Sequence, residues 1–149
     1  MDTKRLNVEV EMKLCTINIC GMSDRSRVAL DHYVDVKQID VLAIQESGTV
    51  DAAKLGLTNM NLLMDCNKAK NKGCLLYVRQ IHSVVPLEKI AKLSSNLDSV
   101  WSLVICNKKR YIIGTVYVKL GYAQGLNEVL SMLQAASVEG KGLELTEFS

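Results

Sequence analysis

Three polar side chains close two apolar strands and could do chemistry together. "KLCTIN" ends on Asn18, three residues before Gly21, and "DVLAIQES" places Gln45 and Glu46 just after an apolar run. Asn is a poor strand residue and is more at home in turns. Its amide is either a turn device or a group aimed beyond the sheet. A Glu carboxylate and an Asn amide are hard oxygen donors of the kind that Mg²⁺ or Ca²⁺ accepts. If the two strands are parallel neighbours, both groups emerge at one carboxyl edge, where open α/β sheets place their sites. The alternative is two loop residues that merely end strands, and spacing alone leaves both readings open.

Other reactive residues point to less. The five cysteines, Cys15, Cys20, Cys66, Cys74 and Cys106, are odd in number and form no CxxC or CxxxH pattern. Each lies in or beside an apolar run, so all are expected to be reduced, buried thiols in a reducing compartment. The two histidines, His32 and His82, are read as surface or packing residues. No Walker loop, GxSxG elbow or GxGxxG turn is present. Lys68, Lys70, Lys72 and Arg79 form one basic stretch, and Lys108, Lys109 and Arg110 another. They could touch a nucleic-acid backbone, or simply solvate a loop and a hairpin tip. Trp101 and Tyr111 could stack on bases, but their alternating positions suit core or cross-strand packing.

These groups need elements to hold them. A chain of 149 residues fits one domain, with a core at about 12–136 and a loose tail at 137–149. Apolar residues make up 48% and charged ones 23%, the balance of a globular protein. The net charge of +2 argues neither for nor against nucleic acid. The start lacks the apolar stretch of a secretory signal, and no run approaches a membrane span. An intracellular protein (cytoplasmic or nuclear), away from membranes, is expected.

Residues 6–19 alternate as a half-buried strand. Ser23 and Asp24 are N-cap types before a short amphipathic helix carrying Leu30, Tyr33, Val34 and Lys37. "DVLAIQES" is the next strand, and strand–helix–strand suggests a crossover between neighbours. "MNLLMDC" and "CLLYVRQ" are strands around a Lys/Asn/Gly loop. Pro86 argues against a central strand in "HSVVPLEKIAKL". Trp101, Leu103 and Ile105 alternate before "CNKKR", and Tyr111, Ile113, Thr115 and Tyr117 after it, the clearest hairpin signal in the chain. Leu126, Val129, Leu130 and Leu133 mark one face of a last helix. The order suggests an α+β chain, a mixed sheet with helices packed on it.

"LCTINICG", a helix, then "IDVLAIQES" resembles the opening of the endonuclease/exonuclease/phosphatase superfamily. Its pattern is a strand ending in Asn-x-x-Gly, a helix, and a strand ending in Gln-Glu. "NKGCLLYVRQ", "DSVWSLVICNKKRYIIGTVYV" and "GLNEVLSMLQAA" continue the likeness, most closely to the non-LTR (LINE) retrotransposon endonucleases. The resemblance implies the N-terminal half of a DNase-I-like four-layer α/β sandwich. It implies Glu46 as the main metal-binding carboxylate, Asn18 orienting metal or phosphate, Gln45 supporting them, and Tyr117 at the scissile phosphate. Mg²⁺ or Mn²⁺ is the implied cofactor, expected to bind weakly here, and DNA the implied substrate.

The family's downstream Gly-Asp-x-Asn and Ser-Asp-His motifs have no match in the sequence. No Asp or His follows Tyr117, and "YVKLG" departs from the usual Tyr-x-Pro at Lys119. A truncated, inactive endonuclease domain is expected, with self-association through an uncovered apolar sheet surface. A non-catalytic module that binds nucleic acid or protein, and an inositol-phosphate or lipid phosphoesterase branch, are the alternatives.

Overall fold

The computed structural model describes residues 12–46, 48, 54–64, 73–94, 96–118 and 121–140, and the backbone of 144–148. Strand β1 (Leu14–Asn18) leads through helix α1 (Asp24–Lys37) to β2 (Val41–Gln45). Ser23 caps α1, its Oγ accepting from the Ser26 backbone N–H at 3.1 Å. Gln38 ends the helix in the left-handed region, φ 54°. The crossover makes β1 and β2 parallel neighbours, with Asn18 level with Gln45. β2 runs antiparallel to β4 (Cys74–Arg79), and β4 to β3 (Met60–Met64), so the first sheet has the order β1-β2-β4-β3.

The second sheet has the order β5-β6-β7-β8. Strand β5 (Ser83–Pro86) lies at its edge, where a proline does no harm to the ladder. A one-turn helix α2 (Glu88–Ala91) leads to β6 (Asp98–Cys106), which forms a hairpin with β7 (Lys109–Tyr117). Asn107 and Lys108 close the hairpin with φ of 51° and 65°, the paired left-handed residues of a two-residue turn that matches strand twist. Helix α3 (Gly125–Glu139) follows. The tail expected to be loose instead holds the end of α3 and a strand, β8 (Glu144–Phe148), parallel to β7. The β7 edge offers unpaired backbone groups that an extended segment can satisfy.

The layers follow from strand alternation. Leu42, Ile44, Leu75 and Tyr77 point outward from the first sheet onto Leu30 and Val34 of α1. Val41, Ala43, Leu76 and Val78 point inward onto Val100, Val104 and Ile113 of the second. Trp101, Ile112 and Val116 face the opposite way, onto Ile90 of α2 and Val129, Met132 and Ala136 of α3. The result is helix, sheet, sheet, helix: an α+β sandwich of four layers.

Two expectations change. The buried face of α3 is Gly125, Val129, Met132 and Ala136, while Leu126 and Leu130 are 70% and 47% exposed. Gly125 lies on this buried face, where a Cβ would meet the Val118 side chain. The bare sheet face is also not found among the described residues. β2 is buried along its whole length and β4 up to its last residue, while partial exposure gathers on β1, β3 and β5 at the sheet edges. No described helix is long and apolar enough to cross a membrane.

Candidate active site at the strand ends

Parallel pairing brings the ends of β1 and β2 side by side, with Asn18 level with Gln45. Beyond the ladder, the Ile19 N–H donates to the Gln45 carbonyl at 3.1 Å and the Gly21 N–H to the Glu46 carbonyl at 2.6 Å. These bonds hold the two turns together. Both turns use left-handed backbone, with φ of 51° at Cys20, 103° at Gly21 and 57° at Glu46. A glutamate is costly there, and such strain persists where surrounding structure over-determines it.

Gln45 is the bolt behind the site. It is 7% exposed, and its Nε2 donates to Thr16 Oγ1 at 3.1 Å and to Thr115 Oγ1 at 2.7 Å. Thr115 lies on β7, so this bond crosses from one sheet to the other. Tyr117 lies two residues further along β7, on the same face. Its phenol hydrogen-bonds the Glu46 carboxylate, and that bond holds the phenol pKa above the ordinary tyrosine value. Desolvation and the nearby negative charge of Glu46, Asp98 and Cys20 push in the same direction.

Two site residues were not singled out in the sequence. Asp98 stands opposite Tyr117 in the β6–β7 ladder and is 6% exposed. Its position was available from the two-residue hairpin turn, which fixes every pair along the ladder. Cys20 was read as a buried thiol, and the structure corrects this. Cys74 and Cys106 are buried and Cys15 is half-buried, but Cys20 is exposed. Cys66 lies outside the described residues. The Cys20 Sγ lies within hydrogen-bond reach of Asn18 Oδ1, 3.4 Å, and of Glu46 Oε2, 3.6 Å, and its N–H donates to Asn18 Oδ1 at 3.3 Å.

The described basic residues are not brought here. Arg79 ends β4 at the opposite end of the sheet, donating to Gln38 Oε1 at 2.7 Å and the Ile39 carbonyl at 2.8 Å. Lys108 caps the far tip of the hairpin with Lys109 and Arg110, and Lys109 lies eight positions along the strand from Tyr117, about 27 Å. Lys68, Lys70 and Lys72 lie outside the described residues. His82 also stands at the far end, its Nε2 2.8 Å from Asp40 Oδ1. His32 is exposed on α1.

The site thus offers one carboxylate and one amide oxygen at its rim, with a phenol beside them. Hard donors of this kind fit a divalent cation, which Glu46 and Asn18 would hold. Among the described residues, no three His, Cys, Asp or Glu side chains are grouped to hold a metal.

No protein-family model matches the sequence, and no curated protein does. Solved structures do. The endonuclease domain of TRAS1, a telomere-specific non-LTR retrotransposon, aligns with a TM-score of 0.64 and 8% identity over 87% of this chain and 53% of its own. The D. rerio TDP2 complexed with single-strand DNA product aligns at 0.54 and 12% identity, over 86% and 54%. A mannosyl-6-phosphatase of Bacteroides thetaiotaomicron aligns at 0.59 and 11% identity, over 90% and 61%. The chain spans a little more than half the length of these proteins, and over that span it has the DNase-I-like fold of the endonuclease/exonuclease/phosphatase proteins.

Proposed function

We propose that this chain carries the amino-terminal part of a metal-dependent phosphodiesterase centre acting on DNA, similar to the retrotransposon endonucleases, and hydrolyses little DNA by itself. The observation that carries the reading is the convergence of Asn18, Glu46 and Tyr117 from three strands on one edge, with Gln45 bolting them across the sandwich. Glu46 and Asn18 hold the cation, Mg²⁺ or Mn²⁺. When bound, it neutralises charge that develops on the phosphoryl oxygens and favours an attacking water. Tyr117 stays protonated at neutral pH and offers its O–H to a phosphate oxygen.

Proton transfer is the weak link. Neither histidine stands at the site, and Asp98 is almost fully buried. The loss of one general acid–base group costs about 10²–10⁴ in rate. Purified chain is therefore expected to nick supercoiled plasmid in Mg²⁺ or Mn²⁺ no faster than Glu46→Ala. Nicking that appears and vanishes in that variant would overturn the incomplete-centre reading. Mn²⁺ binding, followed by electron paramagnetic resonance, should be present in the chain and lost in Glu46→Ala. Its absence would sink the metal-centre reading itself.

A phosphomonoesterase reading draws on the likeness to the Bacteroides phosphatase. Calorimetric titration in Mn²⁺ separates the two: DNA duplex binding supports the first, and tighter binding of a sugar phosphate the second.

A further inference from the structure

Both sheets come to an edge at one corner of the sandwich. Strand β3 is the outer strand of the first sheet. In the second, β5 stops at Pro86, level with Ser102, and β6 runs on past its last pair. The Leu87 N–H donates to the Trp101 carbonyl at 2.9 Å, and the chain then turns into α2. Between these edges lies a cavity of about 240 Å³, walled by Leu63 and Met64 of β3, Pro86 of β5, Ala91 of α2, and Val100 and Trp101 of β6. Trp101 is 2% exposed, and its Nε1 is buried with no hydrogen-bond partner among the described residues. The indole is packed on Gly114, where a Cβ would run into its ring, and this leaves it little freedom to turn toward a partner.

We propose that this corner binds a small neutral molecule with an apolar body and one hydrogen-bond acceptor, a ketone or amide carbonyl, which takes the Trp101 N–H. The indole N–H only donates, so its partner must be an acceptor. A buried donor left unpaired keeps the cost of its desolvation, and a ligand that supplies the acceptor recovers it. The apolar walls reward an apolar body. The rim favours neither sign of charge, because Glu88, which lines it and is 61% exposed, pairs with Lys92 at 3.6 Å. An apolar cavity of about 150 Å³ holds benzene, so this one admits a ring with a substituent. Nε1 is shut off from water, and a ligand reaches it by displacing part of the wall. Met64 is half-buried, unbranched and flexible, and is the wall side chain suited to give way. Asn18, Glu46 and Tyr117 are not among the lining residues, and the proposal is independent of the metal-centre reading.

The test uses the full chain and its single tryptophan, whose indole N–H gives one resonance in a ¹⁵N–¹H spectrum. The probes are cyclohexanone and methylenecyclohexane, alike in shape, the first with an acceptor oxygen and the second without. Neither carries an aromatic ring current that would move the resonance by itself. The expected result is a saturable downfield shift of the indole proton with cyclohexanone, with the Met64 and Ala91 methyl resonances moving at the same midpoint. Methylenecyclohexane should move those methyls and leave the indole proton in place. Cyclohexanecarboxylate should bind at least about tenfold more weakly than cyclohexanone, because its charge would be buried unpaired. The comparison is between probes on one unaltered chain, so no variant has to fold. An indole proton that cyclohexanone does not move, or that both ring compounds move alike, overturns the proposal. So does magnetisation transfer from water to the indole N–H before any probe is added, which would make a held water the partner. Tighter binding of the carboxylate than of the ketone overturns it as well, since the site would then be one for anions.

Discussion

Glu46 holds its carboxylate where a strand-end residue has no local reason to be, in left-handed backbone against a tyrosine from the other sheet. That contact has a measurable consequence. Removing the negative charge in Glu46→Gln should lower the Tyr117 pKa toward the ordinary value of about 10, because the carboxylate hydrogen bond is the largest cause of its rise. Tyrosinate absorption, with Tyr117→Phe as the blank, reads it. A raised folded-state pKa contributes stability fully below the unfolded value and loses it as pH rises through the folded one. The contribution should therefore be present at neutral pH and fade only in alkali. At this scale the sequence was legible wherever two signals agreed. Asn18 and Glu46 each broke an apolar strand at its end, and pairing did the rest. Cys20 was missed because most thiols near apolar runs are buried, and here the left-handed turn after Asn18 exposes it.

Elements were legible where periodicity was strict and their partners were local. The β6–β7 hairpin is the clear case, and its turn carries a prediction. Lys108 takes the second left-handed position, φ 65°, where glycine is preferred. Lys108→Gly should stabilise the chain by about 0.5–1 kcal/mol, read from chemical denaturation. The opposite holds inside the hairpin. Gly114 faces Trp101 across the ladder, and a Cβ there would run into the indole. Trp101 is 2% exposed and has nowhere to move, so Gly114→Ala should cost about 1–3 kcal/mol by overpacking. A lower cost in the same assay would mean that the indole repacks. The α3 face was misread because Leu126 and Leu130 fit the helical period as well as Met132 and Ala136 do. Packing against the second sheet chose between the two faces, which no period reveals. Strand β8 was missed because its hydrogen bonds go to β7, about thirty residues back in sequence, and its own pattern is weak.

At the scale of the whole molecule, the two ends of the sandwich do different jobs. The strand order strand–helix–strand showed a parallel pair, but nothing local could tell which later strands join the first sheet and which begin a second. That choice is made by long-range burial between the inward faces. Once it is made, one end of the inter-sheet layer holds Asn18, Glu46 and Tyr117, and the other holds Asp40, Arg79, His82 and Cys106. There Asp40 accepts from the Lys13 N–H at 2.8 Å, pairs with His82 at 2.8 Å and lies 3.6 Å from Arg79 Nε. The His82 Nε2 stands 3.6 Å from the Cys106 thiol of the second sheet. The His82 and Arg79 side chains are only 7% and 17% exposed, so removing Asp40 strands polar groups out of reach of much water. Asp40→Ala should therefore cost about 2–3 kcal/mol of folding stability. The five residues of β2 separate Asp40 from Glu46, six positions or about 20 Å along the strand, and effects at that distance add independently. The same variant should keep its Mn²⁺ affinity within about twofold. Loss of cation binding in Asp40→Ala, measured where it is still folded, would show that the far cluster sets the geometry of the site and that the two ends are coupled through the sheet.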